Sequence, residues 1–245
     1  MKLRSDLLAG ATAIALAATA FSQPANATLQ LSIDVNGVIV TCADGASCDQ
    51  SGANKNLLVI DTIDDGVTVQ VTLAQSTFGD RNTLQLSSSN IINSNGTAAS
   101  VILLASDTGF DAPTKFISDS ASLTFNANIG ALPSTLRFWA DPANVQGANP
   151  TNTPGTLLES VSGTATTDPD SFSGSNSVMF LAGMPFSMTE GAALSLRAGG
   201  SITGFNQSMT SGVPEPKTWA MLAMGFIALA AMRFKKHRTN RLASI

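Results

Sequence analysis

The chain has 245 residues, a formal net charge of −4, one histidine, two cysteines and no tyrosine. Thr28–Gly212 holds 15 acidic and 5 basic residues, 5 − 15 = −10, while Met1–Ala27 adds +1 and Val213–Ile245 adds +5. An acidic stretch of this size argues against nucleic acid or anionic lipid as its partner, although solubility alone accounts for the charge equally well. Having no histidine, it excludes a Ser-His-Asp arrangement and leaves a cysteine nucleophile without its imidazole.

At the front, Lys2 and Arg4 precede an apolar run from Leu7 to Phe21, and Ala25-Asn26-Ala27 supplies a small-x-small cleavage pattern. These are the parts of a secretory signal peptide over residues 1–27, cut after Ala27. The 185 residues of Thr28–Gly212 suffice for one sizeable core and one domain.

Within that domain no long 3.6-residue apolar pattern occurs, and short alternating runs do. Leu29–Val35 has period two, Asn36-Gly37 follows, and Val38–Cys42 continues. Asn-Gly between such runs is a hairpin signal, because a type I′ turn needs φ > 0 at both positions. Further strands are expected over Asn56–Asp61, Val67–Ser76, Thr83–Ser88, Ser100–Ala105, Ser122–Ile129, Thr135–Ala140, Gly155–Ser162, Val178–Ala182 and Phe186–Ala198. Asp65-Gly66 and Gly79-Asp80 are expected turns. About eleven short strands without a strand–helix–strand rhythm predict an all-β, antiparallel sandwich or jelly-roll-like domain over 28–198. Ser87–Asn95, Ser171–Ser177 and Asp141–Pro154 are expected loops. Gly199–Gly212 is expected as a flexible linker before the tail.

Cys42 and Cys48 both follow the export signal, so a disulfide is the default in an oxidising compartment. A CxxC redox pair or zinc site fails on spacing and on the lack of further ligands. Calcium is the one cofactor the acidic loops admit: Asp61, Asp64 and Asp65, and separately Asp168 and Asp170, place oxygen ligands close together. Neither group matches an EF-hand, and Asp-Asp-Gly and Pro-Asp are equally ordinary turn chemistry. Glu159 and Glu190 are the glutamates of the domain, but a chance carboxylate pair is unavoidable among 15 acids, and Trp139 stands without an aromatic groove.

The tail has three parts. Pro214-Glu215-Pro216 fixes an extended segment, Thr218–Met232 carries no charge, and Arg233, Lys235, Lys236 and Arg238 close it, with residues 239–245 trailing. The 15 uncharged residues span roughly 22 Å as a helix against a hydrocarbon core of about 30 Å. Including Phe234 (helix 218–234) and snorkelling of Arg233 and Lys235 offset the mismatch. Trp219 falls at the outer interface and the basic cluster, with His237, on the cytoplasmic side.

Val213–Ala220 followed by an apolar helix and basic cluster resembles the PEP-CTERM sorting signal in its Trp-Ala variant, over about the last 30 residues. The resemblance implies that a membrane-embedded exosortase acts on the tail, with Pro214, Glu215, Pro216 and Trp219 as the recognised residues. An ordinary single-span anchor with a proline-rich linker is the alternative. Tails of this kind also occur on proteins described as ice-binding, which says nothing about ice. Ile102–Phe110 and Pro185–Glu190 are similar to outer domains that often accompany this tail, mostly without assigned function. The expectation is a non-enzymatic exported protein, held in the inner membrane and then delivered to the cell surface or extracellular matrix. Its partners are the export machinery, an exosortase and exopolysaccharide, with a structural or adhesive role in biofilm. A calcium- or glycan-binding module is the rival, and a secreted hydrolase the third reading.

Overall fold

The computed structural model describes residues 28–212, apart from 53, 80, 112–113 and 148–152, together with Met224 and Phe226. The strands are β1 (Gln30–Val35), β2 (Val38–Ala43), β3 (Leu57–Asp64), β4 (Val67–Thr77), β5 (Thr83–Asn93), β6 (Ala99–Phe110), β7 (Thr114–Asn126), β8 (Ser134–Asp141), β9 (Thr156–Gly163), β10 (Asp170–Ala182), β11 (Phe186–Leu196) and β12 (Ser201–Gly212). They build two six-stranded antiparallel sheets, the first ordered β2-β1-β6-β11-β8-β9 and the second β10-β7-β12-β5-β4-β3. From β5 onward the chain winds as a jelly roll: β5, β7, β10 and β12 lie in the second sheet and β6, β8, β9 and β11 in the first. The hairpins β1–β2 and β3–β4 each widen one sheet. The all-β sandwich expected from the alternating runs is the observed fold.

Local chemistry fixes both hairpins. Asn36 and Gly37 have φ of 52° and 92°, and Asp65 and Gly66 have 42° and 67°, so both turns hold two residues at positive φ, as a type I′ turn demands. The turns touch, with Asn36 Nδ2 donating to Asp65 Oδ2 at 3.0 Å. Cys42 and Cys48 form the expected disulfide, Cα to Cα 5.9 Å, at the end of β2. Asp49 holds that loop against β3, accepting from the N–H groups of Gly45 (3.1 Å), Ser51 (2.9 Å) and Val59 (3.2 Å).

Apolar side chains alternate inward to fill the space between the sheets. Phe110, Phe138 and Phe186 from the first sheet and Phe125 and Phe205 from the second are fully or almost fully buried. A crease crosses the second sheet, where the inward set changes parity. β4 buries Val67 and Val69, then Thr72 and Ala74; β5 buries Leu84, Leu86 and Ser88, then Ile91; β12 buries Ile202, then Phe205 and Gln207. The extra residues that absorb the change lie at Gln70-Val71 on β4, opposite the single Asp61 of β3, and at Gly204 on β12, the latter at φ 68°, where a glycine bears no Cβ cost.

Several expected boundaries are corrected. Gly199–Gly212 is not a flexible linker: Ser201–Gly212 is β12, hydrogen-bonded between β5 and β7 in the middle of the second sheet, so the domain runs to Gly212. Its inward positions include Gln207 and Ser211, and the bulge at Gly204 breaks the period, which hid the strand. Ser87–Asn93 belongs to β5 and Ser171–Ser177 to β10, although both stretches are Ser- and Asn-rich. β7 starts at Thr114 rather than Ser122 and ends at Asn126.

Candidate functional site

The outward positions of the second sheet form the most regular surface on the molecule. On β7, Asp119, Ala121 and Leu123 are buried, so Ser118, Ser120 and Ser122 point out, because successive side chains alternate across a strand. Cross-strand register then aligns Ser177, Ser118, Thr210, Thr83 and Thr77 in one row. Ser175, Ser120, Ser208, Gln85 and Gln75 form the next. Ser173, Ser122, Asn206 and Ser87 form a third. None of these residues is charged. Strands lie about 4.8 Å apart, so five of them give an uncharged hydroxyl and amide face about 20 Å wide. Ser118 Oγ donates to Ser177 Oγ at 3.1 Å, Gln85 Nε2 to Asn206 Oδ1 at 3.4 Å and Asn126 Nδ2 to Thr203 Oγ1 at 2.8 Å, and the Thr77 and Thr83 hydroxyls bond each other. A hydroxyl donates once and accepts twice, so most of the capacity of the face is turned to solvent.

The first sheet presents a different exterior. Trp139 lies over Gly191 beside Leu104: a Cβ at Gly191 would come within 2.8 Å of Leu104 Cδ1 and of Trp139 Cζ3. The segment after β8 covers the adjoining part. Gln146 Nε2 donates to the carbonyls of Thr28 and Ser106, Gly147 N donates to Ser106 Oγ, and Ser187 Oγ donates to Val145 O. Outward residues Ser32, Ser106 and Thr189 are buried as a result.

The expected calcium ligands do not converge. Asp61 is exposed on β3 opposite the β4 bulge, Asp64 ends that strand, and Asp65 is the turn residue bonded to Asn36. Among the described residues no group of three or more His, Cys, Asp or Glu side chains is placed to hold a metal. The other loop pair is turn chemistry. Asp168 Oδ1 accepts from Ala127 N at 2.8 Å, and Asp170 accepts from the backbone and hydroxyl of Thr166 and from the N–H groups of Thr167 and Ser171. Those bonds, with the Thr166 backbone first, hold the Asp170 carboxyl down at about 2. The sorting residues Pro214, Glu215, Pro216 and Trp219, the basic residues Arg233, Lys235, Lys236 and Arg238, and the cleavage residues Ala25 and Ala27 lie outside the described residues. Met224 and Phe226 are helical and exposed, and among the described residues no helix is long and apolar enough to cross a membrane.

Buried acids are the feature that sequence reasoning missed. Glu190 on β11 lies beside Phe138 and Ala105, fully buried, with neither carboxyl oxygen hydrogen-bonded. Burial pushes its pKa well above the usual range; the negative charge of Asp119 adds to this, and the nearby N–H groups of Met209 and Leu86 oppose it. Asp119 on β7 is raised as well, by burial and then by the Glu159 carboxyl. Asp107 accepts from Ser76 Oγ at 2.5 Å between the sheets, and burial raises it to about 6 despite that bond. An inward-facing acid in an alternating strand marks these residues only once the face is known.

No protein-family model matches the chain, and no curated protein is similar to it. Solved structures share a loose likeness. TmCBM61, solved with β-1,4-galactotriose, is 10% identical at a TM-score of 0.33, over 62% of this chain and 86% of its own. The CBM22-1 xylan-binding domain from Paenibacillus barcinonensis is 11% identical at 0.27, over 63% and 87%. The VP2 subviral particle of infectious bursal disease virus is 10% identical at 0.30, over 76% and 53%. Likenesses this distant carry no argument about what the chain binds.

Proposed function

We propose that the sandwich is a glycan-binding module of an exported protein, and that a neutral polysaccharide lies on the outer face of its second sheet. The observation that supports this reading is the uncharged array built on Ser118, Ser120, Ser122, Ser208 and their row partners. Uncharged hydroxyls and amides donate and accept without a charge to desolvate, which suits a polyhydroxyl chain. The array contains no aromatic ring, so each sugar contributes little and affinity accumulates along the polymer. The role is binding rather than catalysis, and an acid-free face disfavours anionic lipid or nucleic acid less than the acidic remainder of the domain does.

The tail belongs to the same reading: an exosortase recognises Pro214-Glu215-Pro216 while the apolar segment holds the exported chain in the inner membrane, and the product reaches the surface or matrix. Two prolines restrict the backbone of a Pro-Glu-Pro sequence, so docking has little of it to order. Gly212 lies at the end of the sandwich where the chain also enters at Thr28, since β12 ends beside the start of β7 and β1 starts beside the end of β6.

Affinity electrophoresis of the full chain through neutral and anionic polysaccharides tests the binding. Retardation by a neutral polymer, lost in Ser120→Arg and Ser208→Arg, is expected. Mobility unchanged in every gel, or retardation indifferent to both variants, overturns it. For the tail, alanine at Pro214, Glu215 and Pro216 should leave full-length protein in the inner membrane; normal sorting of that variant makes the tail a plain anchor.

A further inference from the structure

The chain leaves the sandwich beside an uncovered apolar corner. Met179, Leu181 and Met184 are exposed by 80%, 71% and 57%, and all three lie at the end of β10 or in the turn that follows it. Cross-strand register sets Met179 opposite Phe116 of β7, and Phe116 opposite Gly212, the last residue of β12. The Phe116 ring lies against Gly212, where a Cβ would come within 3.2 Å of Phe116 Cζ. Gly212 is thus two strands from Met179, about 10 Å at the usual strand spacing.

A packed base supports this corner. The rings of Phe78, Phe110, Phe186 and Phe180 follow one another across the same end at centroid separations of 5.1, 5.6 and 5.8 Å. With Phe180 buried in that line, its neighbours Met179 and Leu181 are left to solvent. The surroundings carry little charge. Ser171–Thr189 and Ser201–Gly212 contain no charged residue, Asp119 of β7 is buried, and Lys115 before Phe116 is offset by Asp111 at the other end of that turn. The far end of the sandwich also exposes apolar side chains, Ile129 and Leu132, but there Asp168 accepts from Ala127 N and Asp170 begins β10.

We infer that this corner seats on the lipid surface of the membrane that holds the tail, with Met179, Leu181 and Met184 in the headgroup region. The inference rests on the reading of the tail given above. Chain length argues for lipid as the occupant. Pro214 follows Gly212 by two residues and Thr218 by six, so they lie within about 7 Å and 22 Å of it at full extension. An apolar segment that starts so close keeps the corner at the bilayer surface for as long as the tail stays inserted. Exposed Met and Leu side chains gain there by leaving water, and the Lys115 stem can lie along the interface with its ammonium toward lipid phosphates. The seat holds Pro214-Glu215-Pro216 at headgroup depth, where a membrane-embedded enzyme can reach it.

The full chain in phosphatidylcholine vesicles tests this, with a polarity-sensitive fluorophore on Leu181→Cys or, at the far end, on Leu132→Cys. Cys42 and Cys48 are bridged and do not take the label. Flotation with the vesicles reports the tail. The Leu181 label should shift to the blue and be quenched by lipid brominated near the headgroups, while the Leu132 label keeps its aqueous emission. Met179→Asp with Met184→Asp should return the Leu181 label to aqueous emission without loss of flotation. A floating chain whose Leu181 label stays aqueous overturns the seat and spares the tail, whereas a chain that does not float overturns both. Equal quenching at the two sites overturns the seat as well. So does a blue shift without quenching, since another protein surface would then cover the corner. Matching melting curves confirm that the variants fold.

Discussion

The two outer faces of the sandwich are built from the same alternating strands and end with opposite character. On the first sheet, Trp139 covers Gly191 and the segment at Val145–Gly147 buries Ser106 and Thr189, so the exterior acts as a second, thin core. On the second, Ser118, Ser120, Ser122, Ser175 and Ser208 have no cover beyond each other. A covered face is tied to stability, since its side chains are packed and must fit. An open, uncharged face contributes little to stability, and its regularity therefore has to be explained by what it meets.

Between the two faces lies the strongest expected effect. The hydroxyl face has no titratable group, whereas Asp107, Asp119 and Glu190 are buried between the sheets and favour their protonated forms. For Asp107 a rise from 3.8 to about 6 corresponds to about 3 kcal/mol. The folded state binds more protons than the unfolded chain, so this stability is present below pH about 4 and is lost as pH rises through about 6. Glu190 acts in the same direction. Melting temperature should therefore fall between pH 4 and pH 7, and Asp107→Asn with Glu190→Gln should flatten the slope. A melting temperature that rises steadily over that interval would show that these acids are ionised and paired.

Next in size is the covered face itself. Gly191→Val would push a side chain into Leu104 and Trp139, and overpacking of this kind costs about 1–3 kcal/mol. Denaturant midpoints at constant slope measure it, and an unchanged midpoint would mean that Trp139 swings freely off the sheet. Close behind comes the Cys42–Cys48 bridge, which closes a short loop at the β2 terminus. Chain-entropy reasoning assigns it about 2 kcal/mol, so Cys42→Ala with Cys48→Ala should lower the midpoint accordingly. No free thiol should be found in the unfolded, non-reduced protein.

Much of this was legible in the sequence. Unbroken alternation exposed β1 and β4, and Asn36-Gly37 and Asp65-Gly66 announced their turns, because there the local preference and the packing agree. β12 escaped because Gln207 and Ser211 occupy inward positions and Gly204 shifts the period. The first part of β10 escaped, although Val178–Ala182 was expected, because Ser171-Phe172-Ser173-Gly174-Ser175 reads as a polar loop, with Phe172 as its single large inward residue. The signal that could have found the face was the serine period itself: Ser118, Ser120 and Ser122, and Ser171, Ser173, Ser175 and Ser177, each recur every second residue. Hydrophobic periodicity is blind to a face defined by polar residues.

The smallest effect on stability is the sharpest test of the comparison. Ser120→Val replaces an outward hydroxyl on β7, one strand in from the β10 edge and between Ser175 and Ser208, with a residue favoured in strands. Nothing packs over the position, so the midpoint should move by no more than about 0.5 kcal/mol, against several times that for Gly191→Val. Polysaccharide retardation should fall in the same variant, because the isopropyl group can neither donate nor accept. A large loss of stability would reveal a hidden cover on the second sheet and make the two faces alike. Unchanged stability with unchanged retardation would leave the faces different and move glycan binding elsewhere, with Trp139 and its exposed neighbour Arg137 on the first sheet as the next surface to substitute.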